Sequence, residues 1–260
     1  MAIRLNNSFF RLTNGSYFSN DGFAAAAAGI VITNLTHLFD AGDVASYNGA
    51  GTTWTNLAGS NNLALVNSPT FVSNGAASQF VLDGTNDFMS GSGYVTGSAP
   101  KSHTVSFIGS FASLPSNFTR YRFFTANGSS PSYGVLQGSG GTSLIEVIIS
   151  QGTTNFNAVV YTSPGLVQFV SQSQTAMFTF VSSNTGIDFY LNGSLLGGTT
   201  ADTFVSTNFT NLTTTFSWGS DQSGTNPISM SLAHIMFYSA SLTPSEITQN
   251  YNALKSRYGI

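Results

Sequence analysis

Residues 233–247 read AHIMFYSASLTPSEI and contain a strand followed by the start of a helix. The first six residues are almost all apolar or aromatic, which is typical of a buried strand. Thr243 and Glu246 have the Thr-x-x-Glu spacing of a capping box, and Pro244 occupies the first helical position. This stretch therefore predicts a closing strand that leads directly into a C-terminal helix.

The residues after the capping box are spaced for one buried helix face. Ile247, Tyr251 and Leu254 recur at i, i+4 and i+7, which places them on one side of an α-helix. Gly259 follows as a C-terminal cap, and a helix this short is stable only when it packs against other elements. We therefore expect these three side chains to hold the helix against the rest of the domain.

Upstream of this segment, short apolar runs alternate with turn residues. Asn192-Gly193 separates two such runs and is a strong signal for a two-residue β-hairpin. The chain has room for about 12–16 short strands, and no helical crossovers separate them. The prediction is an all-β fold: a two-sheet antiparallel sandwich with one short C-terminal α-helix and an N-terminal arm.

Charged residues are scarce in this chain. Lys and Arg number 7 and Asp and Glu 10 among 260 residues, so 7% of the chain is charged, against about 25% in an ordinary domain. The net charge of −3 argues against a nucleic-acid surface, and the absence of Cys excludes disulfides and thiolate metal sites. The longest strongly apolar stretch, residues 24–32, is shorter than the ~20 residues of a membrane span.

The first 35 residues differ from the rest. They contain an approximate repeat in which Arg-Leu is followed by an Asn turn and paired aromatics. We interpret residues 1–35 as an anchoring and assembly arm and residues 36–260 as the domain. An extra hairpin on the edge of the same domain is the alternative. The residues expected to dock the arm are Arg4, Phe9, Phe10, Arg11, Tyr17 and Phe18.

Several segments resemble the laminin-G-like, concanavalin-A-like jelly-roll superfamily, in the versions found in phage and viral structural proteins. The resemblance covers about residues 35–260 and is most specific in the closing segment; it rests on residues 38–43, 46–47, 53–57, 80–88, 188–193 and 233–247. It implies an all-β jelly-roll sandwich that binds glycans or proteins, and in some members holds a calcium ion at the rim.

Catalytic patterns are missing from the sequence. A glycosidase needs two carboxylates that flank one bond, yet Glu146 has no carboxylate neighbour at i±2 and Glu246 is assigned to the helix cap. His37 and His103 lie far from His234, which is expected to share a strand face with Leu232, Met236 and Tyr238 as a structural histidine. The chain is therefore predicted not to be an enzyme.

No cofactor is predicted, and a calcium ion at the rim is the weaker alternative. The candidate ligands lie in turn-like contexts and are Asp40, Asp43, Asp83, Asp87 and Asp221. Carboxylate and carbonyl oxygens are the ligands that calcium prefers. Asp is equally the preferred residue of Asx-turns, which explains Asp83-Gly84 without a metal.

The sequence does not single out glycan-binding residues. The aromatic side chains that could form a platform are as easily core or turn residues; they are Trp54, Tyr94, Tyr133, Tyr161 and Trp218. Arg120 and Arg122 could meet an acidic sugar or partner, but they also fit as charges that protect an edge strand from aggregation.

These observations lead to one functional hypothesis and one alternative. The chain is expected to be a non-enzymatic virion structural protein, a capsid decoration or head-associated protein. It would be made in the host cytoplasm without a signal peptide, and form a homo-oligomer. The arm would contact other virion proteins and its own copies, without a nucleic-acid or membrane partner. The alternative is a glycan-binding host-recognition module of a phage tail or fibre.

Overall fold

The structure is a computed structural model that describes residues 10–11, 17–18, 29–94, 102–112, 120–126, 132–137, 143–151, 155–161, 173–183, 187–199, 214–220, 224 and 227–260. The described residues contain eighteen strands and one helix, α1 (Pro244–Tyr258). The strands are β1 (Phe10–Arg11), β2 (Tyr17–Phe18), β3 (Leu35–Asp40), β4 (Thr53–Trp54), β5 (Leu63–Val66), β6 (Thr70–Val72), β7 (Gln79–Asp83), β8 (Phe88–Tyr94), β9 (His103–Phe111), β10 (Arg120–Ala126), β11 (Ser132–Gln137), β12 (Ser143–Gln151), β13 (Asn155–Tyr161), β14 (Ala176–Ser182), β15 (Ile187–Leu191), β16 (Ser194–Thr199), β17 (Thr214–Trp218) and β18 (Ser229–Tyr238).

The strands form two large antiparallel sheets of eight strands each. Sheet I has the order β16-β15-β14-β9-β18-β7-β6, with β3 paired to β18. Sheet II has the order β13-β12-β11-β10-β17-β8-β5-β4. β18 is the centre of sheet I, because β9 pairs along one of its edges while β7 and β3 share the other. The predicted all-β sandwich with one short C-terminal helix is confirmed.

The main core lies between the two sheets and is dominated by aromatic side chains. Sheet I contributes Phe107 and Phe178, whose rings stack with centroids 4.9 Å apart. Sheet II contributes Trp218, whose ring lies edge-on to Phe107 at 5.2 Å. These side chains are fully buried, and ring pairs at such distances add stabilisation beyond the area they remove from water. The many Phe residues thus supply the interior that holds the two sheets together.

A second apolar cluster lies on the other face of sheet I, beneath α1. Ile247 and Leu254 of the helix pack there with Met236 of β18 and Met177 of β14. Residues that alternate with these along the same strands, such as Phe237, belong to the core between the sheets. The helix therefore covers the outer face of sheet I, as the spacing of its apolar residues predicts.

Both helix caps follow the prediction. Glu246 N–H donates to the Thr243 hydroxyl at 3.3 Å, and Thr243 N–H donates to the Glu246 carboxylate at 2.7 Å. Gly259 has a φ of 68°, in the left-handed region that favours glycine, and its N–H donates to the Lys255 carbonyl.

In the described part of the chain, no helix has the length and apolar character that a membrane span requires.

The prediction that His234 shares one face of β18 with Leu232, Met236 and Tyr238 is wrong for Leu232. Leu232 packs in the core between the sheets, whereas Met236 and Tyr238 lie on the helix side. The register between β18 and β9 shifts between Leu232 and His234, which marks a β-bulge. The extra residue reverses the alternation, so Leu232 faces inward while the later residues face outward.

Candidate functional site

The two outer faces of the sandwich differ in what covers them. Helix α1 lies over sheet I, while no helix in the described residues lies over sheet II. We call the outer face of sheet II the open face; its described residues are Thr53, Ala64, Val66, Phe88, Ser90, Ser92, Thr215 and Ser217. Most of them neighbour buried core residues on their strand, as Ala64 does with Leu63 and Leu65.

The described residues of the open face carry no charge, and its exposed positions have small side chains, while Val66 and Phe88 are half-buried. Thr53 lies opposite Ala64, and Ala64 lies opposite Ser90, so neighbouring strands present hydroxyl and methyl groups in one row. Thr53, Ala64, Ser92 and Thr215 are exposed. Hydroxyls both donate and accept hydrogen bonds and carry no charge near neutral pH. The described residues of this face therefore suit contacts made by hydrogen bonds, and none of these residues has a side chain that could act as a general acid or base.

The chain enters the domain on the opposite side, beneath the helix. The Gln249 side-chain amide donates to the Gly29 carbonyl at 2.9 Å, and Val31 N–H donates to the Asn250 amide oxygen at 2.7 Å. The Tyr238 hydroxyl donates to the Val31 carbonyl at 3.0 Å. Residues 29–31 are therefore fixed between α1 and sheet I.

Asn250 is a structural residue that the sequence analysis missed. The predicted helix stripe contains Tyr251, but Tyr251 is only half-buried, and fully buried Asn250 takes its place between Ile247 and Leu254. Its side-chain amide donates to the Tyr238 hydroxyl at 3.0 Å, so all its polar atoms face partners inside the domain. The local signal in the sequence is that Asn250 lies three residues after Ile247. That spacing alone does not distinguish a buried Asn from an exposed one.

A buried ion pair joins the end of α1 to sheet I. Asp40 of β3 is fully buried, and both of its carboxylate oxygens accept hydrogen bonds from the Arg257 guanidinium, one of them at 2.6 Å. Arg257 also donates to the Ala76 carbonyl at 2.5 Å. Such bidentate pairing is the strong form of the Arg–carboxylate interaction. These contacts fix the last helical turn against the end of β3 and the loop between β6 and β7.

The surroundings of all three histidines indicate a structural role. His37, His103 and His234 are buried, and desolvation lowers the pKa of each from 6.5 to about 4. His234 Nε2 lies 4.0 Å from the Asp40 carboxylate, and its ring faces Tyr258 of the helix at 6.2 Å. All three are therefore neutral at neutral pH.

The acidic residues proposed as calcium ligands have other partners. Asp40 is bound by Arg257, and Asp43 caps a turn by accepting from Ala45 N–H at 2.8 Å. Asp83 accepts from the backbone N–H of Thr85 at 2.7 Å, which lowers the pKa of its carboxyl. Burial and the nearby Asp83 raise the pKa of Asp87. Asp221 lies outside the described residues.

No cluster of three or more His, Asp or Glu side chains able to hold a metal occurs among the described residues. The absence of a cofactor, with a rim calcium as its alternative, stays a prediction.

Two of the aromatic glycan-platform candidates lie in the core. Trp54 and Trp218 are fully buried between the sheets, because each alternates with outward residues on its strand. Tyr94, Tyr133 and Tyr161 lie on β8, β11 and β13, and their side chains are outside the described part. The backbones of Arg120 and Arg122 lie on β10, which is an internal strand of sheet II and not its edge.

Within the predicted arm, the structure describes residues 10–11, 17–18 and 29–35. Phe10 pairs with Phe18 and Arg11 with Tyr17 in a small antiparallel hairpin, which is separate from the two large sheets. Arg4 and Phe9 lie outside the described residues. Ile30 and Val31 are already packed beneath the helix, so the predicted boundary at residue 35 falls within a packed segment. The division into arm and domain stays a prediction.

The backbone of Glu146 lies on β12, opposite Gly134 and Val160, neither of which carries a carboxylate. Glu246 is occupied by the helix cap.

No protein-family model and no curated protein sequence matches this chain. Its fold is shared with receptor-binding domains of botulinum neurotoxins. The binding domain of botulinum neurotoxin DC in complex with rat synaptotagmin II has a TM-score of 0.66 at 12% identity, over 86% of this chain and 52% of that chain. The same domain in complex with SialylT gives 0.66 at 13%, with the same coverage. The binding domain of serotype D gives 0.63 at 13%, over 88% and 52%.

These likenesses establish the fold and no more, because the identities are low. The chain spans about half the length of the structures it matches. The neighbours are receptor-binding rather than catalytic domains, and this chain shares their β-sandwich, jelly-roll-like architecture.

Proposed function

We propose that this chain is a non-enzymatic structural protein of a virion, a capsid decoration or head-associated protein that displays a β-sandwich on the particle. The observation that carries the proposal is the opposite placement of the chain entry and the open face. Residues 29–31 lie beneath α1 on sheet I, and the open face belongs to sheet II. An arm attached to the particle would therefore leave the open face directed toward solvent.

The chemistry of the described side chains favours a role without catalysis. The three histidines are buried and neutral, Glu246 caps the helix, and Asp40 is bound to Arg257. A general acid or base must reach its substrate, and a buried or occupied group does not. The described residues therefore favour recognition or assembly through surfaces.

The arm supplies the attachment in this proposal. The arm has two aromatic pairs, Phe9-Phe10 and Tyr17-Phe18, and an Arg lies several residues before each pair. The aromatic rings can bury large apolar areas, and the Arg adds a charged contact. Buried aromatic and Arg side chains dominate the energy of many protein interfaces. The arm would bind other virion proteins or further copies of the chain, and a closed homo-oligomer would follow from symmetric contacts.

A glycan-binding module of a phage tail or fibre is the second candidate. It is favoured by the fold that this chain shares with receptor-binding domains, one of which is described in complex with SialylT. The hydroxyls of the open face could donate and accept hydrogen bonds with sugar hydroxyls. Because Trp54 and Trp218 are buried, a sugar would have to stack on other aromatic residues.

Locating the protein on purified particles distinguishes the two candidates. Particles would be labelled with an antibody raised against the full chain and imaged by electron microscopy, and the same chain would be applied to a glycan array. We expect label over the capsid head and no array signal above that of an unrelated β-sandwich. Label on tail fibres with array binding would favour the second candidate, and particles without label would refute both.

A further inference from the structure

Three Asn-Gly pairs of the described chain differ in ways that bear on their chemical stability. They are Asn48-Gly49 in the loop between β3 and β4, Asn74-Gly75 between β6 and β7, and Asn192-Gly193 in the hairpin turn of β15 and β16. Glycine after asparagine leaves the peptide nitrogen unhindered, so all three share the same local reactivity in an unfolded chain. Differences between them in the folded protein must come from the structure.

We propose that Asn48 is a site of spontaneous deamidation, which makes this loop a built-in modification site of the protein. The Gly49 backbone nitrogen attacks the side-chain carbonyl carbon of Asn48 and forms a five-membered succinimide, and the side-chain nitrogen leaves as ammonia. Water then opens the ring at either carbonyl, which gives aspartate or isoaspartate. No oxidant or cofactor takes part, and the product carries one new negative charge.

The Asn48 loop has the freedom that ring closure needs. Asn48 and Gly49 are exposed, and a side chain built at Gly49 or at Gly51 would meet no atom within 4 Å. Both glycines have positive φ values, 93° and 97°, which few other residues adopt. The loop is therefore sterically unhindered at both glycines next to the reacting groups.

One hydrogen bond in this loop favours the reaction. The Asn48 side-chain oxygen accepts from Ala50 N–H at 3.1 Å, which folds the side chain back over its own backbone toward the Gly49 nitrogen. The same N–H faces the oxygen that becomes negative when the nitrogen attacks. Donors placed where charge develops lower the barrier of such additions.

Asn192 has the opposite arrangement. Its side-chain oxygen accepts from Met177 N–H at 2.8 Å, and its own N–H donates to the Met177 carbonyl at 2.9 Å. Both bonds direct the residue across to β14 and away from the Gly193 nitrogen. A side chain built at Gly193 would approach Tyr251 of α1 to 3.0 Å, so the turn is also packed from outside. Ring closure there requires the hairpin to open.

Asn74 is intermediate. Its N–H donates to the Ser78 hydroxyl at 2.9 Å and its carbonyl accepts from Ala77 N–H at 3.0 Å, so the backbone is fixed while the residue stays exposed. The structure therefore ranks the rates as Asn48 fastest, then Asn74, then Asn192.

Tyr47 anchors the reactive loop to the core, so we expect the structural effect of deamidation to stay within the loop. The Tyr47 hydroxyl donates to the Gly51 carbonyl at 3.1 Å, and its ring packs on Phe80 with centroids 4.8 Å apart. The reactive loop thus leaves the core at a fixed point. Deamidation of Asn48 is expected to change the net charge of the chain from −3 to −4 without unfolding the protein.

The test incubates the full chain at neutral to mildly alkaline pH and follows each Asn-Gly peptide by mass spectrometry. Deamidation replaces an NH group by an oxygen atom in mass, and chromatography separates isoaspartate from aspartate. We expect Asn48 to react at least about tenfold faster than Asn192 in the folded protein, a difference that corresponds to about 1.4 kcal/mol in barrier height. In concentrated urea the three rates should converge.

Two controls make the outcome decisive. Asn48→Gln disfavours ring closure and should abolish the modification in that peptide while the rate at Asn74 stays unchanged. The urea experiment separates the effect of the fold from that of the local sequence. Equal rates at Asn48 and Asn192 in the folded chain would overturn the proposal, as would a ranking that persists unchanged in urea.

Discussion

Replacement of Arg257 by methionine is expected to lower the free energy of unfolding by about 3–5 kcal/mol, the range found when one partner of a buried ion pair is removed. Asp40 is fully buried and takes two hydrogen bonds from the Arg257 guanidinium. Without that partner its negative charge stays in the interior, where Gly42 N–H is the only other donor to its carboxylate among the described residues. Urea denaturation of the purified full chain measures the loss.

The matched control is Lys255→Met on the same helical turn. Lys255 donates to Asn252 at 2.8 Å on the surface and has no buried acidic partner in the described part of the chain, so we expect a change below about 0.5 kcal/mol. The double variant Asp40→Asn/Arg257→Met should recover part of the loss, because no unpaired charge then remains buried. An Arg257→Met change no larger than that of Lys255→Met would contradict the assignment.

The second large effect is a loss of stability in mild acid. Desolvation lowers the pKa of His37, His103 and His234 in the folded state to about 4, against 6.5 as their ordinary value. Between these two values the unfolded chain binds protons that the folded chain does not. The stability is therefore complete above pH 6.5 and falls as the pH drops toward 4.

The size of this effect follows from the shift in pKa. Each shift corresponds to about 3 kcal/mol at full protonation, and three histidines together remove about 6 kcal/mol by pH 5. Such a loss is comparable to the whole stability of many domains. We expect unfolding between about pH 5 and pH 4, and urea midpoints at a series of pH values should show the slope.

His37→Phe tests the origin of the slope. His37 is surrounded by the rings of Phe39, Phe216 and Phe237, at centroid distances of 6.1, 5.7 and 5.3 Å, so an aromatic replacement fits the site. It removes one titrating group and should reduce the loss between pH 8 and pH 5 by about a third. Stability that stays constant from pH 8 to pH 5 would show that the histidines are accessible to protons in the folded state.

The parts of the fold that sequence could predict are those decided by neighbouring residues. The capping box of Thr243 and Glu246 and the Asn192-Gly193 turn depend on residues two or three positions apart, and the structure has both. The alternation of buried Phe107 and Phe178 with the helix-side residues follows from the period of two in a strand. These local rules suffice for an all-β sandwich with a terminal helix.

The rest depends on contacts between distant residues. Asp40 and Arg257 are 217 positions apart, and nothing near either residue predicts the other. The bulge before His234 arises from pairing with β9, and it moved Leu232 to the face opposite the predicted one. The roles of Asn250 and of the two buried tryptophans likewise follow from which face each element presents once the sheets have assembled.

Deleting residues 1–28 tests the central claim, that the arm attaches a displayed sandwich to a particle. The full chain and the deletion variant would be mixed with particles stripped of this protein and sedimented, with the urea midpoint of each variant as the check on folding. Should the deletion impair folding, Phe9→Ala/Phe18→Ala in the full chain replaces it, with Asn6→Ala/Asn7→Ala as the matched control. We predict that the full chain sediments with the particles while the folded arm variant stays in solution. A folded arm variant that sediments as completely as the full chain would contradict the account.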